Sequence, residues 1–179
     1  VNTGDVLAMV SYPGYDNNKM ANTVDAEYYA RLNADKSSPQ LNFATQYKAA
    51  PGSTFKIVSA TAGLMENVIN LQTKVNCVGT FTEITPSPRC WKISGHGYEN
   101  VTSAIKDSCN YFFYNVGYQL ATSSGSYNEE AGLETLSKYA DLYGLTDKSG
   151  VEIGEYAPDV STKDPVLSLI HISEPTRRV

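Results

Sequence analysis

The sequence predicts a fold of mixed α and β class in which helices dominate after the first residues. Three observations carry this. Val6-Leu7-Ala8-Met9-Val10 is a short apolar run between two turn-forming clusters, the pattern of a strand. Three later stretches, near residues 53–67, 103–121 and 129–143, have the apolar spacing of helices. The segments between them are rich in Gly, Pro, Ser, Asn and Asp, which is loop chemistry.

The strand is entered from Asn2-Thr3-Gly4-Asp5 and stopped by Pro13-Gly14, and its unbroken apolar character predicts burial on both faces. Residues 14–50 are polar without a sustained period, so loops and short helical turns are expected there. Pro51-Gly52-Ser53 opens the first helix. Phe55, Ile57, Val58, Ala60, Ala62, Leu64 and Met65 make it largely buried, with Asn67 near its end. Residues 70–100 read as irregular, on Thr85-Pro86-Ser87-Pro88 and Ser94-Gly95-His96-Gly97. The second helix breaks near Ser108, and the third is ended by Gly144. Gly150-Val151-Glu152-Ile153-Gly154 is expected to be a short extended segment.

Composition excludes several classes. Of 179 residues, 41% are hydrophobic and 18% charged, too apolar for a disordered chain. With 14 Lys+Arg against 19 Asp+Glu the net charge is −5, so there is no basic surplus to neutralise nucleic-acid phosphates. No apolar run approaches the roughly 20 residues that cross a bilayer. The start, Val1-Asn2-Thr3, has neither Met nor a secretory pattern, and the chain reads as an excerpt of a longer protein.

The cysteines leave two readings open. Cys77 and Cys90 form either a disulfide that closes a small loop or two reduced thiols. A metal site with His96 is disfavoured, because the spacing is irregular and no fourth ligand is evident. Cys109 stands apart, and no metal or organic cofactor is expected.

The chemistry is carried by two short motifs. There is no G-x-S-x-G, H-E-x-x-H or Walker-type loop, and only His96 and His171 could serve as an imidazole base. Ser53-Thr54-Phe55-Lys56 offers another base. Spacing i, i+3 places both side chains on one helical face. A serine hydroxyl is a weak nucleophile without a neighbouring base. Burial and the positive end of the helix would lower the lysine pKa enough for it to act. The Ser53 N–H, an orphan donor of the first turn, is free to face an oxyanion. Ser108-Cys109-Asn110 lies 55 residues later, at the break of the second helix. There Ser108 could relay a proton, and Asn110 could hold a substrate amide.

These motifs, taken with their surroundings, resemble the transpeptidase domain of class B penicillin-binding proteins. S-x-x-K with a Ser-x-Asn motif is a known signature of that group. The resemblance extends over Thr3 to Ser11 with Pro13 and Asp16, Gln46 to Lys56, Gly95-His96-Gly97, Ala104 to Phe113, and Tyr143 to Ile153, about residues 2–165 in all. It implies an α+β fold, an antiparallel sheet flanked by helices, present here incompletely. Ser53 would be the acyl-forming nucleophile, Lys56 its base, Ser108 a proton-transfer residue and Asn110 a substrate-amide ligand. The implied activity is D,D-transpeptidation: the stem peptide's D-Ala-D-Ala carbonyl acylates Ser53, and a second stem's amine takes the acyl group. β-Lactams would be covalent inhibitors. The parent would sit, membrane-anchored, at the extracytoplasmic face of a bacterial membrane among cell-wall synthesis partners. A β-lactam sensor, a serine β-lactamase or a D,D-carboxypeptidase on the same fold are the alternatives.

Two departures from the family pattern stand out. The K-[ST]-G motif is missing: Lys148-Ser149-Gly150 fits its letters but follows the second motif too closely. Residues 166–179, including Leu167 to Arg178, match nothing in the family and are expected to be a non-native tail after a partial transpeptidase domain over 1–165. The isolated chain is therefore expected to be inactive or nearly so.

Overall fold

The computed structural model describes residues 3–158, so the expected non-native tail at 166–179 lies outside the described residues. These form two units, one of residues 3–49 with 148–157 and the other of residues 50–147.

The first unit is mostly loop. The apolar run at 6–10 is not a strand: Leu7 is 94% exposed, and Val6 and Val10 are also exposed. A strand requires a hydrogen-bonded neighbour, and no described residue pairs with this run. Its expected burial fails for the same reason. Residues 14–50, expected to hold only short helical turns, contain a nine-residue helix, α1 (Ala26–Ala34). Asp25 caps it, accepting from the Tyr28 N–H, but only Leu32 on it is buried. So polar a helix leaves almost no apolar period to detect. Residues 150–154 form a bend, not an extended pair. The Glu155 carboxylate accepts from Ser149 N–H, Ser149 Oγ–H and Gly150 N–H, so Lys148-Ser149-Gly150 is a closed loop.

The second unit holds the core. A 3₁₀ turn, Gly52–Phe55, leads directly into α2 (Lys56–Met65). The broken second helix is two helices, α3 (Val101–Lys106) and α4 (Asn110–Thr122), and α5 (Glu129–Leu142) follows. Asn100 caps α3 in a reciprocal capping box with Ser103. Asn128 caps α5. Gly144, with φ +69°, marks its end as expected.

Ala62 of α2, Ala104 of α3, Phe112 and Val116 of α4, and Leu136 and Ala140 of α5 are buried in one cluster. Small residues bring these helices close. A Cβ added at Gly63 would lie 2.9 Å from Val116 Cγ1, and one at Gly132 would lie 3.0 Å from Ala121 Cβ.

The stretch read as irregular contains a two-stranded antiparallel sheet, β1 (Val75–Cys77) with β2 (Gly97–Glu99), pairing Cys77 with Gly97. Three residues per strand give no readable alternation. The result is an α+β arrangement with little sheet among the described residues.

Candidate active site

Ser53 lies in the 3₁₀ turn ahead of α2, exposed, while Lys56 begins α2 and is 2% exposed. Gly52, with φ +57°, and Pro51, with φ −65°, turn the chain sharply into this turn. Ser108 sits between α3 and α4 with φ +51°, and Asn110 begins α4, buried. The four residues expected to carry chemistry all meet. Ser53 Oγ and Ser108 Oγ are 2.7 Å apart. Lys56 Nζ lies 3.2 Å from Ser53 Oγ, 2.9 Å from Ser108 Oγ, 2.9 Å from the Ser108 carbonyl and 2.6 Å from Asn110 Oδ1.

The donor count decides what this arrangement can do. An ammonium has three protons and no lone pair; a neutral amine has two protons and one. The Ser108 carbonyl and Asn110 Oδ1 can only accept. A neutral Lys56 would spend both N–H bonds on them and turn its lone pair to the two hydroxyls. Burial favours that form, lowering the Lys56 pKa to about 8, against the pull of Cys90 and Cys109, which raises it. A hydroxyl with a base in hydrogen-bond reach is the arrangement that makes serine nucleophilic.

A second cluster lies behind the first. Cys77 on β1, Cys90, His96 just before β2, and Cys109 between Ser108 and Asn110 bring four donor atoms within 4.8 Å of one another. His96 Nδ1 is 3.5 Å from Cys77 Sγ and 3.6 Å from Cys90 Sγ. All three cysteines are free and buried, so the disulfide reading gives way to the thiol reading. The hydrogen bond between Cys109 and Cys90 lowers the Cys90 pKa and raises that of Cys109, so one proton serves both.

Two glycines allow the crossing that forms this cluster. A Cβ at Gly79, φ +91°, would lie 1.9 Å from the Ile93 carbonyl oxygen; one at Gly95, φ +80°, would lie 2.1 Å from that of Cys77. Only glycine permits this approach.

The donor set fits a four-coordinate metal. Tetrahedral zinc with Zn–S of about 2.3 Å holds its ligand atoms about 3.8 Å apart. The fourth ligand missing from the sequence reading is Cys109, which stands apart there from Cys77 and Cys90. The signal for it was present: three cysteines and one histidine, scattered over 77–109.

Fold and site together define a class of protein. The chain matches the family described as "Penicillin binding protein transpeptidase domain" over residues 1–169 and belongs to it. Among its relatives, it is 35% identical over 162 residues to the peptidoglycan D,D-transpeptidase MrdA of Haemophilus influenzae, covering 89% of this chain and 23% of that protein. To MrdA of Escherichia coli K12 it is 33% identical over 156 residues, covering 86% of this chain and 23% of that protein. The crystal structure of Pseudomonas aeruginosa PBP2 in complex with WCK 5153 superposes with a TM-score of 0.79 at 27% identity, covering 96% of this chain and 40% of that one. The chain thus spans about a quarter of the length of the MrdA relatives.

Proposed function

We propose that the protein containing this chain is a peptidoglycan D,D-transpeptidase that works through an acyl-enzyme on Ser53. The observation that carries this reading is the contact set of Lys56, which gives the amine two carbonyl acceptors and two hydroxyl neighbours at once. In the reaction, Ser53 Oγ attacks the carbonyl between the two D-Ala residues of a stem peptide. Its proton leaves by one of two routes, directly to Lys56 over 3.2 Å or through Ser108 over contacts of 2.7 and 2.9 Å. The shorter contacts favour the relay. Lys56 then returns the proton through Ser108 to the departing nitrogen, so D-Ala leaves with a neutral amine. The Ser53 N–H, in the first turn, offers one oxyanion donor. Asn110 fixes Lys56 through Oδ1, and its amide N–H₂ is the part suited to substrate. An amine of a second stem takes the acyl group, forming a cross-link and freeing Ser53. A β-lactam would acylate Ser53 by the same attack.

The thiol and imidazole cluster supports a bound metal in a structural role. Three buried sulfurs and one nitrogen from the half-buried His96 are the set that selects zinc. Such an ion would supply a rigid cross-link between the β1, 90–96 and 109 segments. Cys109 would thereby fix the backbone on which Ser108 and Asn110 stand.

A peptidoglycan substrate would be met at the extracytoplasmic face of a bacterial membrane, among cell-wall synthesis partners, and that setting is part of the proposal. A solved relative, 29% identical to this chain, is described as part of a peptidoglycan synthase complex coordinating polymerization and crosslinking, which supports that setting. The 179-residue chain alone is expected to acylate weakly or not at all, since its sole K-S-G triplet is the loop closed on Glu155.

The deciding experiment treats the full-length protein with penicillin and maps the adduct by mass. An adduct on Ser53 that lasts, with D-Ala release and cross-link formation from stem peptides, supports the transpeptidase. Rapid loss of the adduct would replace it with a β-lactamase, and a lasting adduct with no cross-linking would indicate a sensor.

A further inference from the structure

We propose that Trp91 is a positioning residue for the Ser53 reaction, its indole N–H holding the left-handed turn that presents Ser108. The proposal rests on the reading of Ser53 as nucleophile and goes beyond it to a residue outside both motifs. The indole Nε1–H is shared between two main-chain carbonyls, those of Asp107 and Ser108, each at 3.1 Å. The Ser108 carbonyl is the same oxygen that accepts from Lys56 Nζ at 2.9 Å. One acceptor therefore joins Trp91 to the base, using both of its lone pairs.

The turn needs such a restraint. Ser108 has φ +51°, the left-handed region, which a residue with a Cβ adopts only against steric cost. From within the chain it is held by Ser108 N–H to the Ile105 carbonyl at 3.2 Å and Cys109 N–H to the Ala104 carbonyl at 2.9 Å. These bonds fix the backbone approach to the turn. The indole adds hold on the outgoing carbonyls, which set where Ser108 Oγ points between Ser53 and Lys56.

The chemistry of the side chain fits the role. Trp91 is 56% exposed, so burial does not explain so large an aromatic at this position. Its ring lies edge-on to His96, with centroids 5.1 Å apart at 67°, and it directly follows Cys90. The indole is thus anchored on the thiol cluster and directed at the 107–108 carbonyls. Among the aromatic side chains only indole is a ring donor with no acceptor of its own. This is the one tryptophan of the chain.

The test replaces Trp91 in the full-length protein by 3-benzothienylalanine, which keeps the ring shape and lacks the N–H, and separately makes Trp91→Phe. Two quantities are read: penicillin acylation, resolved into initial binding and the acylation rate constant, and amide hydrogen exchange over 104–110. The expected result is an acylation rate constant about tenfold lower in both variants, the size of one lost hydrogen bond, with initial binding within about twofold of wild type. Exchange at the Ser108 and Cys109 amides should rise in both. A wild-type acylation rate in the benzothienylalanine variant, or unchanged exchange over 104–110, overturns the proposal. If the wild-type protein takes no penicillin, the reading of its function fails instead, and the exchange result alone decides whether Trp91 holds the turn.

Discussion

Ser108 and Asn110 turn toward Lys56, while Cys109 between them joins Cys77, Cys90 and His96. Three consecutive residues thus belong to two clusters of opposite design. The first is built from an amine, hydroxyls and carbonyls and opens outward at Ser53, so its protons can move. The second is built from soft donors, buried at all three sulfurs, and suited to a bond that does not move. Mobile protons need fixed oxygens: a relay over contacts of 2.7 and 2.9 Å tolerates little drift. The backbone that sets those distances is gripped from the other side. The comparison teaches that activity at Ser53 should depend on residues that never touch substrate.

The largest effect should come from the outward cluster. Ser53→Ala should abolish the penicillin adduct altogether, read by intact mass, because the other hydroxyl of that turn, Thr54, donates to the Pro51 carbonyl, whereas Ser53 Oγ is the one bonded to Lys56 and Ser108. An adduct that persists would dissolve the contrast by removing the nucleophile from this cluster. Lys56→Met keeps the length of the buried stem and removes the base. Acylation should fall by about 10²–10⁴-fold, the usual worth of a positioned general base.

Stripping metal tests the inward cluster. The purified full-length protein should hold zinc in a 1:1 ratio by elemental analysis. Cys109→Ala should lose that zinc, lower the melting temperature and slow acylation, although the Cys109 thiol belongs to the inward cluster. Zinc-free protein that melts unchanged on zinc addition would leave the cluster as a set of packed thiols.

The pH profile gives a smaller effect. Lys56, held near 8 by burial, is an ammonium below that value and a base above it. Acylation should therefore climb about tenfold per pH unit from 6 toward 8 and level above it, followed by stopped-flow penicillin binding. A flat profile across 6–8 would mean that the amine is neutral throughout or is not the base.

Smallest is the cap of α3, the helix that leads into the shared turn. Asn100→Ala loses the bond from the Ser103 N–H to Asn100 Oδ1, keeps the one from its own N–H to Ser103 Oγ, and should cost about 1 kcal/mol in denaturant unfolding, with little change in the acylation rate above pH 8.

What could be read in advance follows from how far apart the residues lie in sequence. Ser53 and Lys56 are one turn apart, and Ser108 and Asn110 flank a break announced by interrupted periodicity, so local spacing was enough to find them. Helices α2, α4 and α5 were legible because each buries an apolar face. Helix α1 buries only Leu32, and its one strong signal, the cap at Asp25, carries little weight without periodicity. The run at 6–10 looked like a strand because apolar residues describe a buried surface without saying what covers it. The thiol cluster was hidden for a topological reason. Its members are separated by 13, 6 and 13 residues (90 − 77, 96 − 90, 109 − 96), and they meet only where Gly79 and Gly95 let the chain cross itself closely.

The contact set of Lys56 also imposes a direction of travel. In the resting protein the amine borders two hydroxyls. Once Ser53 Oγ is esterified it can no longer give or pass on a proton, and one of the two doors shuts. Ser108 is then the sole hydroxyl exit from the lysine among the contacts described. In the proposed reaction the incoming amine would hand over its proton at that side, which favours an acceptor approaching over Ser108. On that proposal, acylation itself would narrow the ways in which the second half of the reaction can proceed.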